Sequence, residues 1–203
     1  MRIGLDFDNT IAGYDRVFRA AAAGFPGAAR AVTKKQVRDL VRLSIEGDVA
    51  WQRLQAEVYG KRMPEAELVD GVGDFLRHCR ERGWEVVVVS HKTETAPLDP
   101  ERINLRHAAM AWMDAQGFFA ADGFALKRKD VHFCATRAEK IARIGQLAPA
   151  AFVDDLEEVF AEPDFPVGVE RYLYHPAKPL PSGAFLPFAD WSSLGAHLFQ
   201  RLG

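Results

Sequence analysis

Two aspartates separated by one residue end the first apolar stretch of the chain. Ile3, Leu5 and Phe7 favour a strand, and Asp6 and Asp8 lie at its carboxyl end, where ligands bind in open α/β sheets. Two carboxylates held this close repel each other and lose solvation, so they need a cation, a shared proton, or both. Mg²⁺ fits, because it binds one or two carboxylates together with phosphate oxygens and water. The spacing therefore predicts a magnesium site at the end of a buried strand.

Asn9 and Thr10 continue the same stretch and supply short polar side chains that can hold a turn. An acidic turn that caps the following helix has the same composition, so this stretch alone leaves both interpretations open. The polar residues that follow later strands favour the functional interpretation.

Those later polar residues also lie beside predicted strands. Ser90 follows the apolar run 84–89, and Asp154 and Asp155 follow the apolar run 150–153. Lys140 lies in the predicted helix that leads into the second of these runs. Because the carboxyl ends of parallel strands meet at one edge of a sheet, we expect Ser90, Asp154 and Asp155 to share one crevice with the first two aspartates.

The order of strands and helices predicts the fold class and the domains. Five strand candidates alternate with helices, which is typical of a Rossmann-like α/β protein with a parallel sheet and helices on both faces. Residues 13–69 have helical periodicity without a strand signal, directly behind the first strand. We expect this block to be a small all-α cap, and residues 1–12 and 70–203 to form the core domain. The Pro-rich segment 176–187 is predicted to be irregular.

The composition excludes several classes of protein. Apolar residues make up 48% and charged residues 27% of the 203 positions, as in ordinary globular domains. The formal net charge of −2 offers no basic surface for nucleic acid or an acidic membrane, so neither partner is expected. The apolar run 86–89 is far too short to span a bilayer, and the first residues form a strand rather than a secretion leader. Cys79 and Cys134 lack disulfide or zinc spacing, and a cytoplasmic location is expected. The oligomeric state is not predicted.

Four short motifs, taken in order, resemble those of the haloacid dehalogenase (HAD) superfamily, and most closely its aspartate-nucleophile phosphatases. The motifs are Asp6-Phe7-Asp8-Asn9-Thr10, four valines followed by Ser90, Lys140, and Phe152-Val153-Asp154-Asp155. The resemblance covers residues 1–12 and about 70–175, and the helical block resembles the small lid inserted after the first motif. Each motif alone is weak, but the four in order, each at its expected strand position, are specific together.

The resemblance implies a catalytic role for four residues. Asp6 would be the nucleophile that accepts the phosphoryl group, and Asp8 would protonate the leaving oxygen and then take a proton from water. Ser90 would donate a hydrogen bond to a phosphoryl oxygen, and Lys140 would hold the phosphoryl group and the nucleophile together by charge.

The resemblance also implies a magnesium site and a substrate-binding side. Asp154 would be a direct ligand of Mg²⁺, and Asp155 would be a second ligand or would orient metal-bound water. The nucleophile Asp6 and the backbone carbonyl of Asp8 would face the same ion. The residues expected on the substrate-binding side are Asn9, Thr10, Ser90, His91 and Lys92; for His91 and Lys92 a solvated loop is the alternative.

Two departures from the family pattern leave alternatives open. Val153 stands where the family often has glycine, and Glu158 stands where some members have a further acidic residue, so the division of work among the carboxylates after the fourth strand stays open. Lys127 and Lys129 lie upstream and compete with the helical Lys140 for the role of motif lysine.

The predicted activity is the Mg²⁺-dependent hydrolysis of a small-molecule phosphate ester through an aspartyl-phosphate on Asp6. Carbon–halogen dehalogenases of this fold generally lack an aspartate at the position of Asp8, because a halide leaving group needs no proton. The alternatives are a phosphatase acting on nucleic-acid ends, a mutase or transferase, and a binding module that kept the fold without turnover.

Overall fold

The strand that carries the first aspartates is the central strand of a parallel sheet. The structure is a computed structural model that describes residues 1–177 and 179–203. Among these residues the strands are β1 (Arg2–Leu5), β2 (Ala12–Gly13), β3 (Glu67–Leu68), β4 (Glu85–His91), β5 (Val131–Cys134), β6 (Ala151–Asp154), β7 (Glu170–Tyr174) and β8 (Leu186–Phe188). Six of them form one parallel sheet in the order β5-β4-β1-β6-β7-β8, while β2 and β3 pair with each other. The predicted parallel α/β sheet is confirmed.

Helices separate most of the strands. They are α1 (Asp15–Ala21), α2 (Lys34–Arg42), α3 (Gly47–Tyr59), α4 (Val72–Glu81), α5 (Leu105–Ala115), α6 (Arg137–Leu147), α7 (Glu157–Phe160) and α8 (Trp191–Leu202). Short 3₁₀ turns cover Ala28–Arg30, Met63–Glu65 and Arg128–Asp130. The helices α4, α6 and α8 pack against strands of the large sheet. No helix within the described ranges is long and apolar enough to cross a membrane.

The core of the sheet explains the residues of β1. Ile3 and Leu5 are fully buried, as expected for a strand that is hydrogen-bonded on both sides and covered on both faces. Gly4 lies between them, and a Cβ atom at this position would collide with the ring of Phe152 in the neighbouring strand. The central strand therefore needs a glycine where its neighbour places an aromatic ring.

The chain divides into two compact units. The first comprises Met1–Ala12, Leu68–Lys92 and Gln116–Gly203, and the second comprises Gly13–Glu67 and Thr93–Ala115. The sequence placed residues 93–115 in the core domain, whereas the structure places them in the second unit. Trp112 of α5 donates its Nε1 hydrogen to the carbonyl of Ala66 at 2.9 Å, which ties this segment to the second unit. An apolar helix face does not specify its neighbour, so the sequence pattern alone could not assign α5 to this unit.

The second unit has its own aromatic core. Phe18 stacks on Trp51 with ring centroids 5.0 Å apart, and Tyr14 meets Tyr59 edge-on at 5.0 Å. Thr33 caps α2, because its hydroxyl accepts the backbone N–H of Gln36 in a reciprocal capping box. That this unit works as a cap stays a prediction.

Two segments differ locally from the prediction. The block 13–69 was expected to be all-α, yet Gly13 belongs to β2 and the first helix begins only at Asp15. Near the end of the same block, a single 3₁₀ turn at Met63–Glu65 is followed by β3. The segment 176–187 was predicted to be irregular, yet β8 begins at Leu186 and adds a sixth strand with Pro187 at the sheet edge, where a missing N–H is tolerated. Lys178 of that segment lies outside the described residues.

Candidate catalytic and metal site

The register of the sheet brings the predicted strand-end residues to one edge. Leu5, the last residue of β1, pairs with Val88 on one side and with Val153 on the other. Asp6 follows directly, and its backbone N–H donates to the carbonyl of Val153 at 2.8 Å. Asp154 is the last residue of β6 and therefore ends at the same edge as Asp6.

A buried lysine joins these two aspartates. The Nζ atom of Lys140 lies 2.6 Å from Oδ1 of Asp6 and 2.6 Å from Oδ2 of Asp154. The three residues are 2%, 5% and 0% exposed, respectively. Lys140 stands one turn into α6, whose start is fixed by Thr136, since its hydroxyl accepts the backbone N–H of Glu139 at 3.1 Å. The helix cap therefore fixes the position from which the lysine reaches across the sheet edge.

Charge and burial act in opposite directions on this cluster. Burial alone would lower the pKa of Lys140, but the attraction of Asp154 and Asp6 outweighs it and raises the pKa above its ordinary value, so the ammonium stays charged. Burial raises the pKa of Asp154 to about 7, since it outweighs the opposing attraction of Lys140, and the negative charge of Asp6 adds to the rise. The single positive charge of Lys140 therefore does not balance the negative charges of Asp6 and Asp154 when both are ionised.

A third carboxylate completes an acidic cluster that suits a divalent cation. Asp6, Asp154 and Asp155 each offer one oxygen, and these oxygens lie within 4.8 Å of one another. Once Asp154 is ionised, the three carboxylates and the ammonium of Lys140 leave two negative charges, which one divalent ion would balance. Hard oxygen donors at the end of a sheet are what Mg²⁺ prefers, so the residues present fit the predicted ion.

The turn after β1 contacts the third carboxylate. Asn9 Nδ2 donates to Oδ2 of Asp155 at 3.0 Å, across 146 positions of sequence. Asn9 has a backbone φ of 59°, in the left-handed region that asparagine tolerates better than most residues. Its backbone N–H donates to the carbonyl of Ala12 at 2.8 Å, which closes the turn.

A second, partly buried ion pair involves the predicted proton donor. The Nζ atom of Lys92 lies 3.1 Å from Oδ1 and 3.0 Å from Oδ2 of Asp8, and it lies 5.5 Å from the ring centroid of Phe7. Lys92 is only 4% exposed, which does not fit the solvated loop that the sequence left as an alternative. The chain therefore brings a second ammonium group next to the first motif.

The remaining residues expected on the substrate side have varied surroundings. Ser90 is buried within β4, while His91 is exposed and has its Nε2 atom 3.0 Å from the carbonyl of Ala135. Thr10 is fully buried and its carbonyl accepts the indole N–H of Trp191 at 3.1 Å. Its buried hydroxyl has no hydrogen-bond partner among the described residues. The hydrogen bond from Trp191 therefore holds the backbone of the turn at Thr10.

The alternatives left open by the sequence differ in burial. Lys127 and Lys129 are exposed, whereas the ammonium of Lys140 contacts Asp6. Glu158 is also exposed and is not part of the acidic cluster found among the described residues. Sequence reasoning missed the contact of Asn9 with Asp155 and the support from Trp191. No local pattern encodes such distant contacts, although an asparagine in a tight turn hints at left-handed backbone.

Comparisons with known proteins give a likeness in structure only. A scan against models of protein families found no match, and a search of curated proteins found none either. Among solved structures, protein tyrosine kinase A of Mycobacterium tuberculosis matches with a TM-score of 0.62 at 14% identity, over 97% of both chains. A predicted phosphatase from Clostridium acetobutylicum matches with a TM-score of 0.57 at 11% identity, over 98% of both chains.

A third similar structure is of a protein that is named for its family and is bound to an ion. YfnB from Bacillus subtilis, named as a HAD-type hydrolase and bound to magnesium, matches with a TM-score of 0.54 at 14% identity, over 97% of both chains. Further matches that cover nearly the whole chain carry haloacid dehalogenase-like names. At such low identities the shared property is the fold.

Proposed function

We propose that this chain, which has the fold of the haloacid dehalogenase superfamily, is a Mg²⁺-dependent phosphomonoesterase that acts on a small-molecule phosphate ester. The observation that carries the proposal is the buried contact of Lys140 with Asp6 and Asp154 at the end of the central strand. A charged lysine between two carboxylates is suited to bind and stabilise a transferring phosphoryl group. Asp8, two residues further on, supplies the proton-transfer group that phosphate esters require.

The first half of the reaction transfers the phosphoryl group to the protein. A carboxylate oxygen of Asp6 attacks phosphorus, and the bond between phosphorus and the leaving oxygen breaks. Asp8 in its acid form gives its proton to that oxygen, so the product leaves as an alcohol. Lys140 compensates the negative charge on the phosphoryl oxygens and on Asp6 during the transfer.

The second half regenerates the enzyme. Asp8, now a carboxylate, takes a proton from water while the water oxygen attacks phosphorus. The bond between phosphorus and Asp6 breaks, and inorganic phosphate leaves. Lys92, whose ammonium group contacts both oxygens of Asp8, is the residue best suited to keep this side chain in place between the two halves.

The acidic cluster would hold the metal. Asp6, Asp154 and Asp155 supply carboxylate oxygens, and the family resemblance adds the backbone carbonyl of Asp8. When bound, Mg²⁺ supplies positive charge that neutralises the phosphoryl oxygens. The magnesium-bound structure of YfnB supports this choice of ion.

The helical unit and the net charge favour a small molecule as the substrate. A helical unit inserted behind the first strand would act as a lid that excludes water and admits a small molecule. The net charge of −2 disfavours a nucleic-acid end as the substrate.

Both cysteines are free thiols, which agrees with a reducing compartment such as the cytoplasm.

The experiment that tests the proposal measures phosphate release from an aryl phosphate, with and without Mg²⁺. The wild-type protein is compared with Asp6→Asn and with Glu158→Gln, a matched carboxylate that lies outside the acidic cluster. We expect release that requires Mg²⁺, is abolished in Asp6→Asn, and persists in Glu158→Gln. Release that survives Asp6→Asn would mean that Asp6 is not the nucleophile. No release from any of a panel of phosphate esters, with Mg²⁺ bound, would favour the non-catalytic module.

A further inference from the structure

The contact between Asn9 and Asp155 joins the turn after β1 to the acidic cluster. Asn9 Nδ2 donates to Oδ2 of Asp155 at 3.0 Å. Asp155 also offers one oxygen to the cluster formed with Asp6 and Asp154. Asp155 is half-buried, while Asp154 is completely buried and accepts the backbone N–H of Leu156 at 3.0 Å. The Asp155 carboxylate therefore accepts a hydrogen bond from a side chain at another strand end.

The turn that carries Asn9 is fixed by backbone hydrogen bonds. The carbonyl of Phe7 accepts the N–H groups of Ile11 and Ala12 at 2.9 and 3.0 Å, and the N–H of Asn9 donates to the carbonyl of Ala12 at 2.8 Å. A turn held by three such bonds presents its side chains in a fixed direction. The amide of Asn9 is thus delivered to Asp155 from a rigid support.

Asparagine meets two requirements at this position. Most residues are strained at the backbone φ of 59°, whereas glycine and asparagine adopt it at low cost in energy. Glycine would satisfy the backbone alone, whereas asparagine adds a neutral donor that orients a carboxylate without neutralising its charge. A lysine or arginine here would compete with a cation for Asp155.

We propose that Asn9 is a positioning residue of the metal site, which fixes the Asp155 carboxylate for Mg²⁺ binding. This inference rests on the proposed function, because it assumes that the acidic cluster binds Mg²⁺. Groups that orient a metal ligand typically contribute tenfold to a hundredfold in metal affinity. In this role Asn9 acts through Asp155, and its expected place on the substrate-binding side stays a separate prediction.

The test compares two substitutions that separate the effect of the Asn9 side-chain amide from the effect of its left-handed backbone. Asn9→Gly removes the amide and keeps the left-handed turn, whereas Asn9→Ala removes the amide and strains the turn. Binding of Mg²⁺ to the metal-free protein is measured by titration calorimetry, and the melting temperature is measured without metal. We expect both variants to bind Mg²⁺ about tenfold more weakly or worse, while only Asn9→Ala shows a clearly lower melting temperature.

A matched control uses another asparagine–carboxylate bond of equal length. Asn104 Nδ2 donates to Oε1 of Glu94 at 3.0 Å in the second unit, so Asn104→Ala should leave Mg²⁺ affinity unchanged. Wild-type affinity in Asn9→Gly would overturn the inference while leaving the phosphatase intact, since turnover and its loss in Asp6→Asn are measured separately. A wild-type protein that binds no Mg²⁺ would overturn the inference and the proposed function together.

Discussion

At the scale of single side chains, Lys140 links the stability of the fold to the proposed chemistry. Its ammonium is the cation that contacts Asp6 and Asp154 in the part of the chain that the structure describes, and all three groups are buried. Removing one partner of a buried charge cluster leaves the others uncompensated, which costs far more than losing an exposed ion pair. In the proposed reaction the same charge would stabilise the phosphoryl group, so a substitution of Lys140 is expected to affect both stability and turnover.

Lys140→Met should therefore destabilise the metal-free protein by about 3–5 kcal/mol, measured by chemical denaturation. We expect added Mg²⁺ to restore part of this loss, because the ion supplies the missing positive charge. Turnover should fall about a hundredfold or more even with Mg²⁺ present. Lys129→Met, which removes an exposed lysine, serves as the control and should change neither quantity. Equal stability of the Lys140→Met and wild-type proteins would contradict the burial argument.

Among the secondary-structure elements, α6 sets the position of Lys140. The start of this helix can be predicted from the sequence. The cap at Thr136 and the apolar stretches of β1, β4 and β6 depend on neighbouring residues, so local patterns predict them. The strand-end positions of Asp6 and Asp154 follow from the same patterns, because parallel strands end at one edge.

Other features depend on distant residues and were not predictable. The contact of Asn9 with Asp155, the pairing of β8 and the assignment of α5 to the second unit all link segments far apart in sequence. A Pro-containing edge strand also looks like a loop, since only its partner reveals it. Local periodicity carries no information on such neighbours.

The helix caps give a prediction at this scale. Thr136→Ala and Thr33→Ala each remove a hydroxyl that accepts a backbone N–H at the start of a helix, and each should lower the free energy of unfolding by about 1 kcal/mol. Only α6 carries the lysine that reaches Asp6 and Asp154, so only Thr136→Ala should also lower kcat. Unfolding curves and steady-state kinetics of both variants check this. An equal loss of kcat in the two variants would show that the start of α6 does not position the lysine.

For the whole molecule, the balance of charge at the sheet edge links pH to metal binding. Burial raises the pKa of Asp154 from its ordinary value of 3.8 to about 7 in the metal-free protein. Between these two pH values the unfolded chain has lost the proton while the folded protein keeps it. This carboxyl therefore favours folding below about pH 4 and loses that contribution as the pH rises towards 7.

Metal binding should show the complementary dependence. The proposed binding of Mg²⁺ requires the carboxylate form, so below about pH 7 it would be accompanied by release of a proton from Asp154. We expect the Mg²⁺ affinity to fall by up to about tenfold for each pH unit below 7, and to level off above it. Calorimetry at pH 6 in buffers of different ionisation enthalpy counts the released protons. Binding without proton release at pH 6 would contradict the raised pKa of Asp154.

The separation of the cluster along the chain has a consequence for biosynthesis. Asp6 and Lys140 are 134 positions apart, and Asn9 and Asp155 are 146 apart. A ribosome that adds 5–20 residues each second needs roughly 7–27 s to travel from the first aspartate to its lysine. During that interval β1 can pair with β4 but lacks β6, so the nascent polypeptide carries Asp6 without the ammonium of Lys140 and without the other two carboxylates of the acidic cluster. The proposed phosphatase activity would therefore arise only late in translation, after the strand order around β1 has been completed.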